Sequence, residues 1–496
     1  MATRLSLARL GSLRPDIGRP SYGRSALSSG ILHFGVGNFH RAHQAVYLDD
    51  LFNTGCDLDW ALVGAGVLNS DEKMRATLAA KDYLTTVVEQ SAEKSSARVT
   101  GAMIDFLPAG DAAAIVAVLG DPAIRIVSLT ITEGGYFIDP ATGSFNPDDP
   151  AIVADGAAPE APRTVFGKIT AGLKRRRDKG IAPFTVMSCD NIPHNGIIAR
   201  NAVAGVGRLS NDEFADWIET EVAFPNAMVD RITPATGDRE RAICADEYGI
   251  DDDWPVFCES FKQWVLQDSF PLGRPALERV GVQFVADVTP YELMKIRILN
   301  GGHAVIAYAA GLLDIEFAHE AMGSDLISAF LDKVERDQII PTVPPVPDTD
   351  LHAYYRLVAE RFANPKIGDT IRRLCLDGSN RQPKFIVPTI ADRLAAGLPV
   401  TGLALESALW CRYCYGRTES GADIAPNDPN WDRLQACARA AKDDTAGRWL
   451  AMDDIYGEVG RSEVFREEFS DALSAIWRDG TERVLSRYLK DLPLQA

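Results

Sequence analysis

Residues 31–43 read Ile31-Leu-His-Phe-Gly-Val-Gly-Asn-Phe-His-Arg-Ala-His43, and this stretch decides the fold of the first part of the chain. It begins with an apolar run typical of a buried strand, continues through a glycine turn and then starts a helix. Gly35 can make the tight turn, and Gly37 lets backbone N–H groups approach a pyrophosphate at the positive end of the helix. His40 stands where a third glycine is usual. The pattern predicts a dinucleotide-binding turn whose contacts come from Gly35, Gly37, Asn38, Phe39 and His40.

A second strand, predicted at residues 60–64, follows about one helix later and supports this interpretation. Just beyond it comes a polar stretch, 69–72, in the region where an acid can hold the ribose of an adenosine. The candidates for this part of the cofactor site are therefore Asn69, Ser70, Asp71 and Glu72.

Further strand-like runs alternate with helical segments through the first half of the chain, which predicts an α/β sheet with substantial parallel pairing. Two of these strands end in polar clusters, one containing Glu133 and the other Asn191, and a later turn-rich segment contains Asp230. Ligands of open α/β sheets bind outside the carboxyl ends of the strands, so all three residues are candidates for a site. The runs are 84–88, 98–106, 124–132 and 184–189, and the helical segments include 111–119 and 162–178.

Helical patterns dominate from residue 289 onward, and long strand-like runs become scarce. The simplest division places a Rossmann-like α/β domain with a mostly parallel sheet at 1–285 and a mainly α-helical domain at 286–496. The first 29 residues are rich in Arg and Ser but interrupted by Pro, so we expect an N-terminal arm lying on the body rather than a transit peptide.

The segment Thr289-Pro-Tyr-Glu-Leu-Met-Lys-Ile-Arg-Ile-Leu-Asn-Gly-Gly-His303 opens the second domain with a helix-start signature. At about 100° per residue, Lys295 and His303 fall at roughly 0° and 80°, Glu292 near 60°, and Asn300 at the edge near 140°. A solvated surface helix is the alternative interpretation. The grouping of an amine, an imidazole, a carboxylate and an amide on one side favours a catalytic helix.

These groups suit the oxidation of a secondary alcohol, which needs removal of the hydroxyl proton and departure of hydride from carbon. A Lys can take the proton if desolvation or a nearby cation lowers its pKa towards neutrality. Amide donors such as Asn191 and Asn300 suit the developing alkoxide. His303 could hold a hydroxyl, and Glu292 or Glu133 could pass the proton towards solvent. The scheme requires no metal.

Composition excludes several classes of protein. The net charge of -18 over 496 residues disfavours a nucleic-acid binder, and no apolar run approaches the length of a transmembrane helix. The eight cysteines have no framework spacing, so we expect reduced thiols in a cytoplasmic enzyme. Cys411 and Cys414 lack a second ligand pair and are interpreted as helix-core residues rather than a zinc site. His40 and His43 could suggest a metal, but packing and anion contact are the preferred interpretation.

The chain resembles the polyol-specific long-chain dehydrogenases, and the likeness runs from about residue 30 almost to the C-terminus. The resemblance implies metal-independent, NAD-dependent interconversion of a polyol and a ketose, typically D-mannitol and D-fructose. It implies a general base or acid at Lys295, an oxyanion-type clamp from Asn191 and Asn300, substrate positioning by His303 and a proton path through Glu292. The matching stretches are 35–47, 128–136, 185–191, 224–234, 295–303 and 377–385.

On the substrate side, the resemblance implies that Glu133 and Asp230 lie in or beside the site and that Arg373 binds hydroxyls. Arg381 stands where the family's mannitol enzyme has a Lys, and a bidentate guanidinium can alter which polyol fits. The family's pair of acids after the second strand appears here as Ser70-Asp71. One acid is missing, so NADP remains an alternative to NAD.

Rival functions stay open at this stage. Sister enzymes acting on D-arabinitol, sorbitol or a hexuronate such as fructuronate use the same chemistry. A nucleotide-sensing regulator that binds NAD without turnover, or a zinc-dependent polyol dehydrogenase, would belong to other classes. The expected partner is a small-molecule polyol or ketose, without nucleic acid or membrane, for a monomer or small homo-oligomer.

Overall fold

The computed structural model describes residues 2–139, 143–444 and 447–494. The chain forms two compact units, Met1–Val288 and Thr289–Ala496. Unit 1 combines strands and helices, and unit 2 is built from helices. Within the described residues, no helix has both the length and the apolar character needed to cross a membrane.

Unit 1 alternates strands and helices through most of its length. Its strands are β1 (Thr3–Arg4), β2 (Ser29–Phe34), β3 (Ala61–Ala65), β4 (Thr85–Gln90), β5 (Ser95–Thr100), β6 (Met103–Leu107), β7 (Ile126–Leu129), β8 (Thr185–Ser188), β9 (Ala227–Asp230), β10 (Ile250–Asp251), β11 (Val256–Glu259), β12 (Gln263–Gln267) and β13 (Gln283–Val285). Its α-helices are α1 (Asn38–Ala42), α2 (Gln44–Phe52), α3 (Glu72–Ala79), α4 (Ala112–Leu119), α5 (Pro150–Ala157), α6 (Val165–Asp178), α7 (Asn195–Arg208), α8 (Asp212–Glu221) and α9 (Asp238–Tyr248).

The main sheet of unit 1 has the strand order β6-β3-β2-β7-β8, and every neighbouring pair is parallel. Leu32 of β2 pairs with Val63 on one side and Val127 on the other. Leu32 belongs to one hydrophobic cluster and its neighbour Ile31 to another, because successive side chains point to opposite faces and both faces are covered. The expected Rossmann-like domain with a parallel sheet is confirmed.

The order of this sheet has a switch point between β2 and β7. The chain proceeds from β2 through β3 to β6 in one direction and then builds β7 and β8 on the other side of β2. Since all five strands are parallel, their carboxyl ends lie at one edge of the sheet. The loops after β2, β3, β7 and β8, which carry the predicted site residues, therefore share that edge, where ligands of such sheets bind.

One predicted strand is wrong. The run 98–106 forms two strands, β5 and β6, in different sheets: β5 is antiparallel to β4, whereas β6 is parallel to β3. The break falls at Gly101, whose N–H donates to Asp49 (2.9 Å) and whose carbonyl accepts from Arg24 (3.0 Å). A Cβ at Gly101 would lie 3.1 Å from the Arg24 side chain, so the N-terminal arm fixes this corner of the chain.

Unit 2 includes two π-helical segments, Lys295–Asn300 and Glu335–Ile339. Two helices at 378–395 were not predicted, because prolines at 383 and 388 indicate a break. Pro383 lies inside the first of them, and Pro388 in the opening turn of the second, where it is tolerated. The α-helices are α10 (Thr289–Met294), α11 (Gly301–Leu312), α12 (Ala318–Gly323), α13 (Asp325–Val334), α14 (Leu351–Phe362), α15 (Ile371–Leu374), α16 (Gly378–Phe385), α17 (Val387–Ala395), α18 (Thr401–Cys414), α19 (Trp431–Ala440), α20 (Gly447–Leu450), α21 (Asp453–Tyr456), α22 (Glu463–Asp479) and α23 (Thr481–Leu489).

Candidate active site

The glycine turn after β2 has the geometry that its sequence predicts. Gly35 has φ +92°, and a Cβ there would lie 2.0 Å from the carbonyl oxygen of Thr130, so only glycine fits. Gly37 faces open space, since the nearest atom to a Cβ placed there is the Gly35 oxygen at 3.9 Å. The N–H groups of the first turn of α1 have no intrahelical acceptor. The turn thus offers the close backbone approach and the donors that a dinucleotide pyrophosphate requires.

The side chain of Asn38 braces this turn within unit 1. Its Nδ2 donates to the carbonyl oxygen of Pro234 (3.1 Å) and to Oγ1 of Thr236 (3.0 Å). Its Oδ1 accepts from Arg41 at 2.7 Å. The turn is thereby tied to the segment that follows Asp230.

The rings of Phe39 and His40 pack inside unit 1. Phe39 stacks on His43 at 4.8 Å, and His40 stacks on His33 at 3.5 Å. Burial holds the pKa of His40 well below its usual value, so the ring is neutral. The predicted contacts of Phe39 and His40 with the cofactor remain predictions. Because both rings stack on other side chains, we expect such contacts to come from the backbone N–H groups.

The predicted ribose site lies in the turn after β3. Ser70 is exposed, whereas Asp71 uses Oδ2 to accept from the N–H groups of Val67 (2.8 Å) and Leu68 (3.0 Å). The carboxylate of Asp71 therefore closes this turn, with lone pairs of Oδ1 remaining for a ligand hydroxyl.

Asp190 organises two of the ligand-side loops, a role that sequence reasoning missed. Its carboxylate accepts from the N–H groups of Ile131 (3.0 Å) and Thr132 (2.8 Å) and from the hydroxyl of Tyr136 (2.7 Å). Burial raises its pKa despite these donors. Asp190 thus joins the end of β8 to the loop after β7. The signal in the sequence is its place in the polar cluster that begins at residue 190.

Glu133 and Asn191 are the exposed side chains that this arrangement presents. Each directly follows a residue of the Asp190 network, namely Thr132 and Asp190 itself. A third predicted residue, Asp230, ends β9 and is 6% exposed. The carboxyl-end edge of the main sheet therefore carries a carboxylate and an amide, whereas Asp230 ends a strand of the separate sheet β13-β12-β9.

Asn195 connects the loop after β8 to β9. Its Nδ2 donates to the carbonyl oxygens of Asp190 (3.0 Å) and Ala227 (2.7 Å), and its Oδ1 accepts from the N–H of Ala227 (2.9 Å). Asn195 is fully buried, so its three bonds hold the strand carrying Asp230 against the loop carrying Asn191.

In unit 2 the predicted catalytic helix contains an unpredicted π turn. The helix runs from Thr289 to Leu312, but Lys295–Asn300 is π-helical, and the N–H of Gly301 bonds to the carbonyl of Ile296, five residues earlier. In a π turn the residue five positions on, rather than four, completes the hydrogen-bonded repeat. Asn300 follows Lys295 by five positions, so it moves from the predicted edge into line with Lys295.

His303 continues the same face, since it lies one α-helical turn beyond Asn300. Lys295 and Asn300 are only 7% and 8% exposed, and Glu292 is 6% exposed. A buried amine, amide and carboxylate therefore line this helix together with the imidazole.

Arg297 anchors the π turn from another direction. Its Nη1 donates to the carbonyl oxygen of Thr342 and its Nη2 to Asp392, both at 2.5 Å. Arg297 is 8% exposed, whereas the Asp392 side chain is 53% exposed, and the two charge-assisted bonds hold the turn from this side.

Four basic side chains act electrostatically on His303. Burial, together with Arg373, Arg361, Arg381 and Lys295, holds the pKa of His303 well below its usual value. The imidazole is therefore neutral and offers one N–H donor and one acceptor. Arg361, on α14, is the member of this group that sequence reasoning did not name.

Two of these arginines are themselves fixed. Arg373 is held by Asp369 through a bidentate pair with both contacts at 2.5 Å. This pair occupies two of its five N–H groups, which leaves donors for a ligand. Arg381 donates through Nη1 to the carbonyl oxygens of Arg373 (3.3 Å) and Leu374 (3.1 Å).

In the part of the chain that the structure describes, no group of three or more His, Cys, Asp or Glu side chains is arranged to hold a metal ion. Cys411 and Cys414 are both buried in α18 and unbridged.

Comparisons with known proteins agree with this architecture over nearly the whole chain. Residues 29–279 match the mannitol dehydrogenase Rossmann domain family, and residues 287–477 match the mannitol dehydrogenase C-terminal domain family. A mannitol 2-dehydrogenase of Cereibacter sphaeroides is 58% identical over 96% of this chain and 99% of its own length. A mannitol 2-dehydrogenase of Neosartorya fischeri is 41% identical over 95% of each chain.

Two solved structures share the fold. A ternary complex of Pseudomonas fluorescens mannitol 2-dehydrogenase with NAD and D-mannitol has a TM-score of 0.89 and 44% identity, covering 98% of this chain and all of the other. A D-sorbitol dehydrogenase in substrate-free form has a TM-score of 0.90 and 35% identity, covering 96% of this chain and 99% of its own. Because both family matches and the relatives span nearly the full length, this chain belongs to the mannitol dehydrogenase family.

Proposed function

We propose that this protein is an NAD-dependent polyol dehydrogenase that interconverts D-mannitol and D-fructose, with Lys295 as the group that exchanges the hydroxyl proton. The observation that supports the proposal is that one helix carries the buried Lys295 and Asn300, five residues apart across a π turn, and the half-buried His303 one turn later. The names of the full-length relatives support mannitol as the polyol.

Lys295 is suited to proton exchange because its side chain is only 7% exposed and is therefore largely removed from bulk water. In the oxidative direction its unprotonated amine accepts the proton of the reacting hydroxyl, and in the reductive direction its ammonium returns the proton. Glu292, which is also buried on this helix, takes the proton onward towards solvent.

The oxygen that loses its proton needs donors that are already oriented. The amide of Asn300 is fixed by the π turn, and that of Asn191 follows the buried Asp190 network. When bound, the nicotinamide of NAD supplies the acceptor for the hydride that leaves the substrate carbon.

Substrate hydroxyls would be recognised by the groups around His303. The neutral imidazole gives one donor and one acceptor, and Arg373 and Arg381 give donors only. Glu133 and Asp230 supply carboxylate acceptors for hydroxyl protons. A polyol needs both donors and acceptors, because each of its hydroxyls can both donate and accept.

Two observations each favour an alternative substrate. The cations around His303 could bind the carboxylate of a hexuronate such as fructuronate. The similarity to a D-sorbitol dehydrogenase makes sorbitol another candidate substrate. D-arabinitol is the shorter polyol to be compared with these hexitols.

A substrate panel tests the proposal. We expect fastest reduction of fructose, above xylulose and fructuronate, with NADH favoured over NADPH, and fastest oxidation of mannitol, above arabinitol, sorbitol and mannonate. A clear preference for fructuronate and mannonate would overturn the assignment in favour of the hexuronate.

Turnover should survive exhaustive chelation, because the proposed steps use only protein side chains and NAD. Loss of turnover on chelation, with recovery on adding zinc, would refute this metal-independent scheme.

Replacing Asp71 tests the predicted contact with the cofactor ribose. Asp71 is already bonded to two backbone N–H groups, so its hold on a ribose depends on the remaining lone pairs. We expect Asp71→Ala to raise the KM for NAD and to narrow the preference for NAD over NADP. An unchanged KM for both cofactors would remove Asp71 from the site.

A further inference from the structure

A buried carboxyl group lies behind the predicted catalytic helix and has no role in the proposed reaction. Glu335 begins the second π-helical segment and is fully buried. Among the described residues, neither of its carboxylate oxygens has a hydrogen-bond partner. Burial, with a smaller effect from Asp332, raises the pKa of Glu335 well above its usual value, so the group is a neutral acid.

The carboxyl group of Glu335 lies against Gly302, the residue before His303. A Cβ on Gly302 would lie 2.9 Å from Oε1 of Glu335 and 3.4 Å from Cε2 of Phe362. The ring of Phe362 in turn stacks on His303, with 4.1 Å between ring centroids. Glu335 and Phe362 therefore both lie beside Gly302, and Phe362 in turn contacts His303.

His303 has an unsatisfied atom of its own. Its Nε2 is buried without a hydrogen-bond partner among residues 2–139, 143–444 and 447–494. Unpaired buried polar atoms are rare in folded proteins, and a direct bond or a buried water usually satisfies them. A protonated carboxyl group is an O–H donor, and a ring nitrogen without hydrogen is an acceptor.

We propose that Glu335 is a positioning residue that donates a hydrogen bond to one buried water, which in turn donates to Nε2 of His303, and so keeps the ring hydrogen on Nδ1. The bond made by one ring nitrogen decides which tautomer of a histidine is present. With the hydrogen on Nδ1, His303 can donate a hydrogen bond from Nδ1 to a substrate oxygen. The last step rests on the proposed function, whereas the tautomer of His303 does not.

Two variants of Glu335 separate this role from a purely structural one. Glu335→Gln keeps a neutral N–H donor of similar size, whereas Glu335→Leu removes the donor and fills the space with apolar atoms. Because a buried carboxyl group carries a desolvation cost and Leu is apolar and of similar size, the Leu variant should fold about as stably as wild type. Any loss of activity in it would then not come from unfolding.

The first measurement is ¹⁵N NMR of histidine-labelled protein saturated with NAD, with the His303 signals assigned by their absence in His303→Asn. We expect the Nδ1–H tautomer in wild type and in Glu335→Gln, and a shift towards Nε2–H in Glu335→Leu. The second measurement is kcat/KM for D-mannitol, which should fall roughly 10- to 100-fold in the Leu variant, as when other residues that orient a histidine are removed. The Gln variant should stay within about threefold of wild type, because the donor is retained.

An unchanged tautomer in Glu335→Leu would overturn the inference, whatever the activity. Equal losses of kcat/KM in the Leu and Gln variants would also overturn it, since the donor would then not matter. Failure of the proposed function would look different: His303→Asn and Lys295→Met would retain polyol oxidation, while the tautomer shift in Glu335→Leu could still be observed.

Discussion

At the scale of single residues, the least expected finding is that the neighbours Asp190 and Asn191 have different positions and different contacts. Asn191 is presented at the ligand edge of unit 1, whereas Asp190 points its carboxylate to the loop after β7. Polar clusters at strand ends can be recognised from sequence, but not which member binds a ligand and which one holds the loop. That choice depends on donors such as Tyr136, which lie more than fifty positions away.

Replacing Asp190 tests this role. Asp190→Ala leaves two backbone N–H groups without their acceptor, at about 1–3 kcal/mol for each, and leaves the Tyr136 hydroxyl with Ser188 in place of two partners. We expect the thermal unfolding midpoint to fall by roughly 5–10 °C and kcat/KM to fall with it. Ser188→Ala is the matched control, because it removes the bonds to Tyr136 and to the N–H of Asp190 but leaves the Asp190 carboxylate in place. Similar melting midpoints for the two variants would contradict the role of Asp190.

At the scale of elements, the π turn at Lys295–Asn300 decides how the predicted helix works. The α-helical wheel placed Asn300 at the edge of the group, because a pattern of apolar residues does not distinguish an α turn from a single π turn. The structure adds one residue to the repeat between Lys295 and Gly301. Single π turns occur frequently at functional sites, in agreement with this location.

Deleting Ile296 should convert the π turn to an α turn. The flanking helices α10 and α11 then keep their registers, because a π turn contains one more residue than the α turn that replaces it. We expect the thermal midpoint to change by only a few degrees while polyol oxidation falls at least about 100-fold, since Lys295 and Asn300 lose their alignment. Circular dichroism and steady-state kinetics make the comparison. Activity within tenfold of wild type would show that the π turn is not needed.

At the scale of the whole molecule, buried carboxyl groups make stability depend on pH. Glu406 of α18 is fully buried, and its Oε1 accepts from Nε2 of Gln382 at 2.6 Å. Burial raises the pKa of Glu406 to about 8 from 4.5. Between these two values the folded state keeps a proton that the unfolded state releases, so the free energy of unfolding falls as pH rises, by up to about 1.4 kcal/mol per pH unit.

Glu406→Gln should remove this dependence, because the amide is neutral at every pH and can still accept from Gln382. Its thermal midpoint should match wild type near pH 5 and exceed it increasingly towards pH 8. The exposed Glu463→Gln is the control, and its curve should run parallel to wild type. A constant difference between Glu406→Gln and wild type over this range would contradict a protonated Glu406.

Sequence reasoning reached the main sheet because apolar strands and glycine turns are local patterns, and its site predictions in unit 1 come from the polar clusters at strand ends. It joined β5 to β6 because the contacts that break the chain at Gly101 come from Arg24 and Asp49, which are distant in sequence. It missed α16 and α17 because a proline lowers the local preference for helix, whereas packing in the folded unit overrides that preference.

The most direct test of the account is the replacement of Lys295 by Met, which keeps the length of the side chain and removes the amine. We expect kcat for D-mannitol oxidation to fall by at least about 1,000-fold, NAD binding measured by calorimetry to stay within about threefold, and small primary amines in the buffer to restore part of the rate. A Lys295→Met enzyme that oxidises mannitol within tenfold of the wild-type rate would contradict the assignment of Lys295 as the proton acceptor.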